Sequence, residues 1–155
     1  METDRIAALA TPYGVSALAV IRTSGPGSVE AVASLCDRPK FVRESTGGHM
    51  KRVLLLDPEG DQVLDEVMLG IFRAPHSYTG EDSVEIFCHG SPPGLRRILS
   101  VLYGNGFRPA EPGEFTLRAF MAGKVDLTRA EAVHEIVQAQ TATSHEMALA
   151  RLGGS

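Results

Sequence analysis

Three charged side chains stand where they can meet a ligand. Arg22 ends the apolar run ALAVI, directly before the turn residues of TSGP. Glu85 lies inside the apolar run SVEIFC, and Lys124 follows Gly123 at the end of a predicted helix. A cationic side chain binds a carboxylate or a phosphate. A carboxylate accepts two parallel hydrogen bonds from an N–H pair, such as the edge of a 2-amino-pyrimidinone ring.

Each of these residues also has an ordinary structural explanation. Arg22 can be a surface arginine that leaves the sheet edge, and Glu85 can be a solvated residue on a half-exposed strand. Lys124, together with Arg118 in the preceding helix, can be a cation near a helix C-terminus, where the helix dipole favours positive charge. Position alone leaves both interpretations open for each residue.

The adjacent pair Cys88–His89 predicts neither a metal site nor a catalytic dyad. Neighbouring residues of a strand face opposite sides, and no further ligands follow at useful spacing. The sequence has no GxxxxGK[ST] loop and no GxGxxG motif, so we expect no nucleotide binding by those routes. We therefore expect no metal and no catalytic residue in this chain. Cys36 and Cys88 are predicted to be two free thiols.

The composition is that of a globular domain of 155 residues, with 43% hydrophobic and 22% charged residues. A net charge of −4 argues against binding nucleic acid by bulk electrostatics. No apolar run approaches the ~20 residues that cross a bilayer. The acidic start, METDRIAALATP, lacks the basic region of a secretion signal, so we expect a cytoplasmic protein.

The elements that position these residues are mostly strands in the first half of the chain. The predicted strands are RIAALATP, ALAVIRTSG, KRVLLLD, QVLDEVMLGIF and DSVEIFCHG, with the third and fourth forming a hairpin. Ser83, Glu85 and Phe87 should share one face of the last of them. The segment SVEAVASLC predicts a short helix, and residues 37–48 predict a loop.

The second half is predicted to be helical. Ser91 caps a helix that begins at Pro92 and stops near Gly104. FRPAEPG predicts an edge or irregular segment, and GEFTLRAFMAGK a short helix. A long helix should follow from Asp126, with Thr128 and Glu131 as a capping box.

The predicted fold is therefore α+β, a mixed sheet with flanking helices followed by one long C-terminal helix. We expect one domain over residues 1–125 and the start of another over residues 126–155. Because no later element covers the last helix, we expect the chain to be the front part of a larger protein.

Three segments resemble one family. They are ATPYGVSALAVIRTSGP, FRAPHSYTGEDSVEIFCHGSPPGLRRIL and AEPGEFTLRAFMAGKVDLTRAEAVHEIVQAQT. Together they are similar to the N-terminal part of the MnmE (TrmE) family of tRNA modification GTPases. The likeness runs from about Asp4 to the C-terminus, and residues 37–62 carry little of it.

The resemblance implies a fold, a cofactor and partners. The N-terminal domain of the family resembles the folate-binding domain of one-carbon (aminomethyltransferase-like) enzymes, binds 5-formyl-tetrahydrofolate and forms a homodimer. A helical domain follows, with a GTPase domain inserted that uses GTP, Mg and K. With the FAD protein MnmG, the whole protein modifies C5 of the wobble uridine of certain tRNAs, using a folate one-carbon unit. This chain would hold the folate domain and the first long helix, and would not hydrolyse GTP alone.

The family's folate-contacting positions fall on Arg22, Glu85 and Lys124. Glu85 would then recognise the N–H edge of the pterin. Arg22 and Lys124 would contact the glutamate tail or polarise the one-carbon group, and the resemblance does not divide those roles between them.

The chain departs from the family at two turns. Tyr13, Val15 and Ser16 fill a first turn that is usually richer in glycine and proline, and Ser91 stands where a second glycine usually follows the His-Gly pair. We expect these side chains to alter the shape of the pocket.

Two other functions compete with the folate domain. One is a dimerisation module that has lost folate binding, which the substituted first turn favours and the retained charged residues oppose. The other is a stand-alone folate-dependent methyltransferase subunit, which the uncovered last helix opposes.

Overall fold

A computed structural model describes residues 4–139 of the chain. The chain forms two compact units, Met1–Ala110 and Glu111–Ser155. Strands dominate the first unit, and the described part of the second is helical. The functional division after residue 125 stays a prediction.

The first unit is built on one six-stranded sheet. Its strands are β1 (Arg5–Leu9), β2 (Ser16–Ser24), β3 (His49–Leu56), β4 (Val63–Phe72), β5 (Ser83–Gly90) and β6 (Phe107–Pro109). Their order across the sheet is β3-β4-β5-β2-β1-β6. All neighbouring pairs are antiparallel except β1 and β6, which are parallel. The expected α+β fold with a mixed sheet, including the β3–β4 hairpin and the edge position of FRP, is confirmed.

Three helices belong to this unit: α1 (Ser28–Ala33), α2 (Pro39–Arg43) and α3 (Pro92–Tyr103). The N-cap of α3 is Ser91, as expected, and its Oγ accepts a hydrogen bond from the Gly94 N–H at 3.3 Å. The prediction of a loop over residues 37–48 is wrong at Pro39–Arg43, where α2 forms. Five residues are too few to display a helical period, and burial of Val42 in the core stabilises this turn of helix.

The two faces of the sheet differ. On the inner face, alternate residues such as Ile21, Leu69 and Ile86 are fully buried and share one core with Val29 of α1 and Leu95 of α3. These helices therefore cover the inner face. We call the opposite side, which carries the intervening residues of β2, β4 and β5, the outer face.

The second unit contains α4 (Glu114–Met121) and α5, which is described over residues 127–139. The predicted capping box at Thr128 is wrong. Asp126 caps α5 instead, because its Oδ1 accepts a hydrogen bond from the Arg129 N–H at 2.8 Å. The rest of the predicted long helix lies outside the described residues. None of the helices in residues 4–139 combines the length and the apolar character needed to cross a bilayer.

Candidate functional site

Arg22 and Glu85 lie directly opposite each other on neighbouring strands. The register pairs Arg22 of β2 with Glu85 of β5, and Glu85 with Gly70 of β4. The same row continues to Ala8 in β1 and Met50 in β3. Paired residues of antiparallel strands face the same side of a sheet. The outer face therefore carries both predicted charged residues of the first unit in one row.

Gly70 shapes the surface beside Glu85. A Cβ atom at Gly70 would lie 3.3 Å from Met50 Sδ, 3.3 Å from Phe87 Cε2 and 3.4 Å from Phe72 Cε2. The missing side chain thus lets one methionine and two phenylalanines pack close over β4. They form an apolar surface next to the carboxylate.

Glu85 is half-buried, and its carboxylate has no hydrogen bond or ion pair within residues 4–139. Removing a carboxylate from part of its water is costly unless other donors replace that water. Its two oxygens, bordered by apolar side chains, suit a flat ring whose edge presents two N–H groups. A half-buried carboxylate fits both interpretations of Glu85, so its role as a binding residue stays a prediction.

The loop between β4 and β5 folds back against the end of β2. The Tyr78 ring centre lies 5.4 Å from Arg22 Cζ, which is cation–π distance. Ser24 Oγ lies 2.6 Å from Thr79 Oγ1 and donates to Glu81 Oε1 at 2.8 Å, and Thr79 is buried. These bonds fix the loop and hold an aromatic ring beside Arg22.

Arg73 anchors the start of the same loop. Its Nη1 lies 2.9 Å from Glu30 Oε1 and 3.2 Å from Asp82 Oδ2, and its Nε donates to the Ser45 carbonyl at 3.0 Å. Burial raises the pKa of Glu30, but the hydrogen bond and charge of Arg73 outweigh burial and leave that pKa below its usual value. The loop is thus tied to α1 and to the segment after α2.

The third predicted residue, Lys124, belongs to the second unit. It is exposed and directly follows Gly123, and its backbone N–H donates to the Ala119 carbonyl at 2.8 Å. Its place beside Arg22 and Glu85 stays a prediction. Arg118 pairs with Glu114 one turn earlier, at 3.2 Å, and both side chains are almost buried, so this arginine stabilises α4.

Sequence reasoning missed Gly70, Phe72 and Tyr78. A glycine inside the strand pattern MLGIF signals a close approach of other groups, and that signal was available for Gly70. The Tyr78 contact depends on how a ten-residue loop closes, which no local pattern predicts.

Within residues 4–139, no group of three metal-ligating side chains is found. Cys36 and Cys88 are free thiols and both are buried, which confirms the prediction for the cysteines.

The outer face sets a carboxylate among apolar side chains, which is the usual composition of a small-molecule site. The family model described as "GTP-binding protein TrmE N-terminus" matches residues 5–124. The chain belongs to this family, as the sequence resemblance implied.

Relatives agree with this assignment. The chain is 50% identical over 152 residues to the tRNA modification GTPase MnmE of Borrelia turicatae, an alignment that covers 98% of this chain and 33% of that relative. The MnmE of Treponema denticola is 46% identical over 152 residues, covering 98% and 32%. The MnmE of Christiangramia forsetii is 44% identical over 155 residues, covering 97% and 32%. The chain thus spans about a third of the length of these curated relatives.

Proposed function

We propose that this chain is the tetrahydrofolate-binding and dimerisation domain of a tRNA modification GTPase. The observation that carries the proposal is the half-buried Glu85 carboxylate, which has no partner within residues 4–139 and lies beside an apolar surface. A reduced folate has a flat pterin whose edge presents an N–H pair, and Glu85 accepts both hydrogens. Family membership supports the same ligand.

Arg22 and Lys124 complete the proposed site. A guanidinium and an ammonium both bind carboxylates, so they contact the glutamate tail of the folate or polarise its one-carbon group. Arg22 has the better support, because it is paired in register with Glu85. Lys124 rests on its motif, AGKVDL.

In the parent protein, the folate supplies the one-carbon unit that modifies C5 of the wobble uridine of certain tRNAs. An FAD-dependent partner of the MnmG type takes part, and a GTPase domain beyond this chain binds GTP with Mg and K. The protein acts in the cytoplasm. In this scheme the chain's own residues bind and orient the folate, and they do not hydrolyse GTP.

A second candidate is a dimerisation module without folate binding. Exposed apolar side chains favour it: Met50 is 55% and Leu18 57% exposed, and the first turn exposes Tyr13 and Val15. Apolar surface of this kind is typical of a protein contact. A homodimer is part of both candidates, so only folate binding separates them.

Calorimetric titration of the 155-residue chain with 5-formyl-tetrahydrofolate tests the proposal. We expect saturable binding, with light scattering of the same sample giving the mass of a dimer. A folded dimer that binds no folate would favour the dimerisation module. Circular dichroism confirms that each sample is folded.

A further inference from the structure

His89 is held in one orientation by Asp65. Its Nδ1 lies 2.7 Å from Asp65 Oδ1, and its backbone N–H donates to Asp65 Oδ2 at 2.9 Å. Both carboxylate oxygens thus bind the same residue. Asp65 is only 16% exposed, whereas His89 is 73% exposed. A carboxylate on one ring nitrogen fixes the tautomer, so neutral His89 carries its proton on Nδ1 and presents Nε2 as an acceptor.

The oriented imidazole borders a cavity of about 260 Å³. Its lining combines apolar side chains of three strands with one cation and one anion, and it includes Leu18, Met68, Phe87, Arg52 and Glu66. Arg52 is 3.9 Å from Glu66, and both side chains are mostly exposed, which makes a weak surface pair that leaves the guanidinium free to turn toward a ligand.

The cavity continues the Glu85 site along the sheet. Glu85, Phe87 and His89 alternate along β5 and therefore share the outer face. Phe87 lines the cavity and also packs against the Gly70 position beside Glu85. Four residues of strand span about 13 Å, at ~3.3 Å per residue. That span suits a ligand longer than a single fused ring.

We propose that this cavity is a second subsite of the folate site and binds the aminobenzoyl-glutamate part of the ligand. The aryl ring packs between Leu18, Met68 and Phe87, and the His89 Nε2 accepts a hydrogen bond from the amide N–H that joins the ring to glutamate. Arg52 binds a tail carboxylate. Asp65 is a positioning residue for His89. This inference rests on the proposed folate function.

Two titrations separate the subsites. The 155-residue chain is titrated with 5-formyl-tetrahydrofolate and with 6-methyl-tetrahydropterin, which has no aminobenzoyl-glutamate. We expect His89→Ala and Met68→Ala each to weaken folate binding by about fivefold, the size of one hydrogen bond or a partial loss of packing, and to leave pterin binding unchanged. Glu85→Gln should weaken both ligands. Arg97→Ala, an exposed substitution on α3, is the control that should weaken neither.

The role of Asp65 needs a double-mutant cycle. Asp65→Asn should weaken folate binding in the wild-type chain and add nothing in the His89→Ala background, because it acts only through the imidazole. Additive losses would overturn the positioning role.

The remaining outcomes are distinct. Full folate affinity in both His89→Ala and Met68→Ala would overturn the subsite and keep the Glu85 site. Equal losses for folate and pterin would also overturn it. If the wild-type chain binds neither ligand, the proposed function itself fails, and the subsite fails with it.

Discussion

Arg22 and Glu85 are register partners across β2 and β5, yet no ion pair joins them within residues 4–139. Opposite charges placed directly across two strands normally attract. Here Tyr78 takes a cation–π position on Arg22, and the Glu85 carboxylate keeps both oxygens available. The register therefore places a positive and a negative residue side by side on the outer face, which agrees with the proposed ligand, since a reduced folate carries groups for both.

Gly70→Ala should lower the affinity for folate while changing the free energy of unfolding only slightly. The added methyl group meets Met50 Sδ and two phenylalanine ring edges at 3.3–3.4 Å. Those side chains must move, and their movement disturbs the surface beside Glu85. We expect affinity to fall by several-fold and the free energy of unfolding to change by less than about 1 kcal/mol.

Gly60→Ala is the matched control for Gly70→Ala, because a Cβ at Gly60 has its nearest neighbour at 3.9 Å. Calorimetry measures affinity, and urea unfolding measures stability. Wild-type affinity in Gly70→Ala would show that this surface does not contact the ligand.

Gly25→Ala should destabilise the first unit strongly. Gly25 has φ +132°, and a Cβ there would lie 2.6 Å from the Asp4 carbonyl oxygen and 2.8 Å from Arg5 Cα. Both neighbours are backbone atoms that cannot turn away, so we expect a loss of about 3 kcal/mol or more in urea unfolding.

Gly14→Ala shows how much of the stability loss in Gly25→Ala comes from backbone strain and how much from the close contact with β1. Gly14 has a similar φ of +139°, but nothing lies within 4 Å of its Cβ position. It should cost only the conformational strain, about 1 kcal/mol. Equal losses for the two variants would mean that the close approach to β1 is not the cause.

Acid should destabilise the wild-type chain more than Glu30→Gln. The folded-state pKa of Glu30 lies below its unfolded value, because Arg73 outweighs the effect of burial. The pair's stabilisation is thus fully present above the unfolded pKa of 4.5 and is lost as pH falls through the folded pKa. Unfolding free energies measured from pH 7 to pH 3 should fall less steeply for Glu30→Gln.

Glu44→Gln is the control for the pH series, since Glu44 lies 3.9 Å from Lys40 on the surface. Its slope should match that of the wild type. Identical slopes for all three proteins would contradict the role of the Glu30–Arg73 pair.

Both thiols should resist alkylation at pH 8 in the folded chain. Burial and the nearby Asp65 charge raise the pKa of Cys88 to about 11, and burial also raises the pKa of Cys36. A thiol in that state holds little of the reactive thiolate. Mass spectrometry after iodoacetamide should show no adduct in buffer and two in urea. Rapid labelling in buffer would show that the core opens.

Patterns of residues predicted most of the sheet. The two-residue period of a strand predicted that Ser83, Glu85 and Phe87 share one face, and turn residues predicted where most of the strands end. Helix α2 was not predicted, because only the burial of Val42 distinguishes this segment from a loop. The N-cap of α5 is Asp126 and not the predicted Thr128. Both residue types cap helices and they lie two positions apart, so the sequence alone does not show which of them begins the helix.

The candidate site was predicted only in part. Arg22 and Glu85 were chosen by their positions on strands, and strand pairing explains why they meet. Strand order, however, is a long-range property, so the row through Gly70 and Met50 required the structure. The same holds for His89 and Asp65, which are 24 residues apart and meet only because β4 and β5 are neighbours.

The most direct test of the central claim is the affinity of Glu85→Gln for 5-formyl-tetrahydrofolate. The substitution keeps the size of the side chain and removes the charge that accepts two N–H groups. We predict a loss of tenfold or more, about 1.4 kcal/mol or above, and an unchanged affinity for Glu59→Gln, an exposed carboxylate in the turn between β3 and β4. Wild-type affinity in a folded Glu85→Gln chain would contradict the account, because the carboxylate would then have no part in binding the ligand.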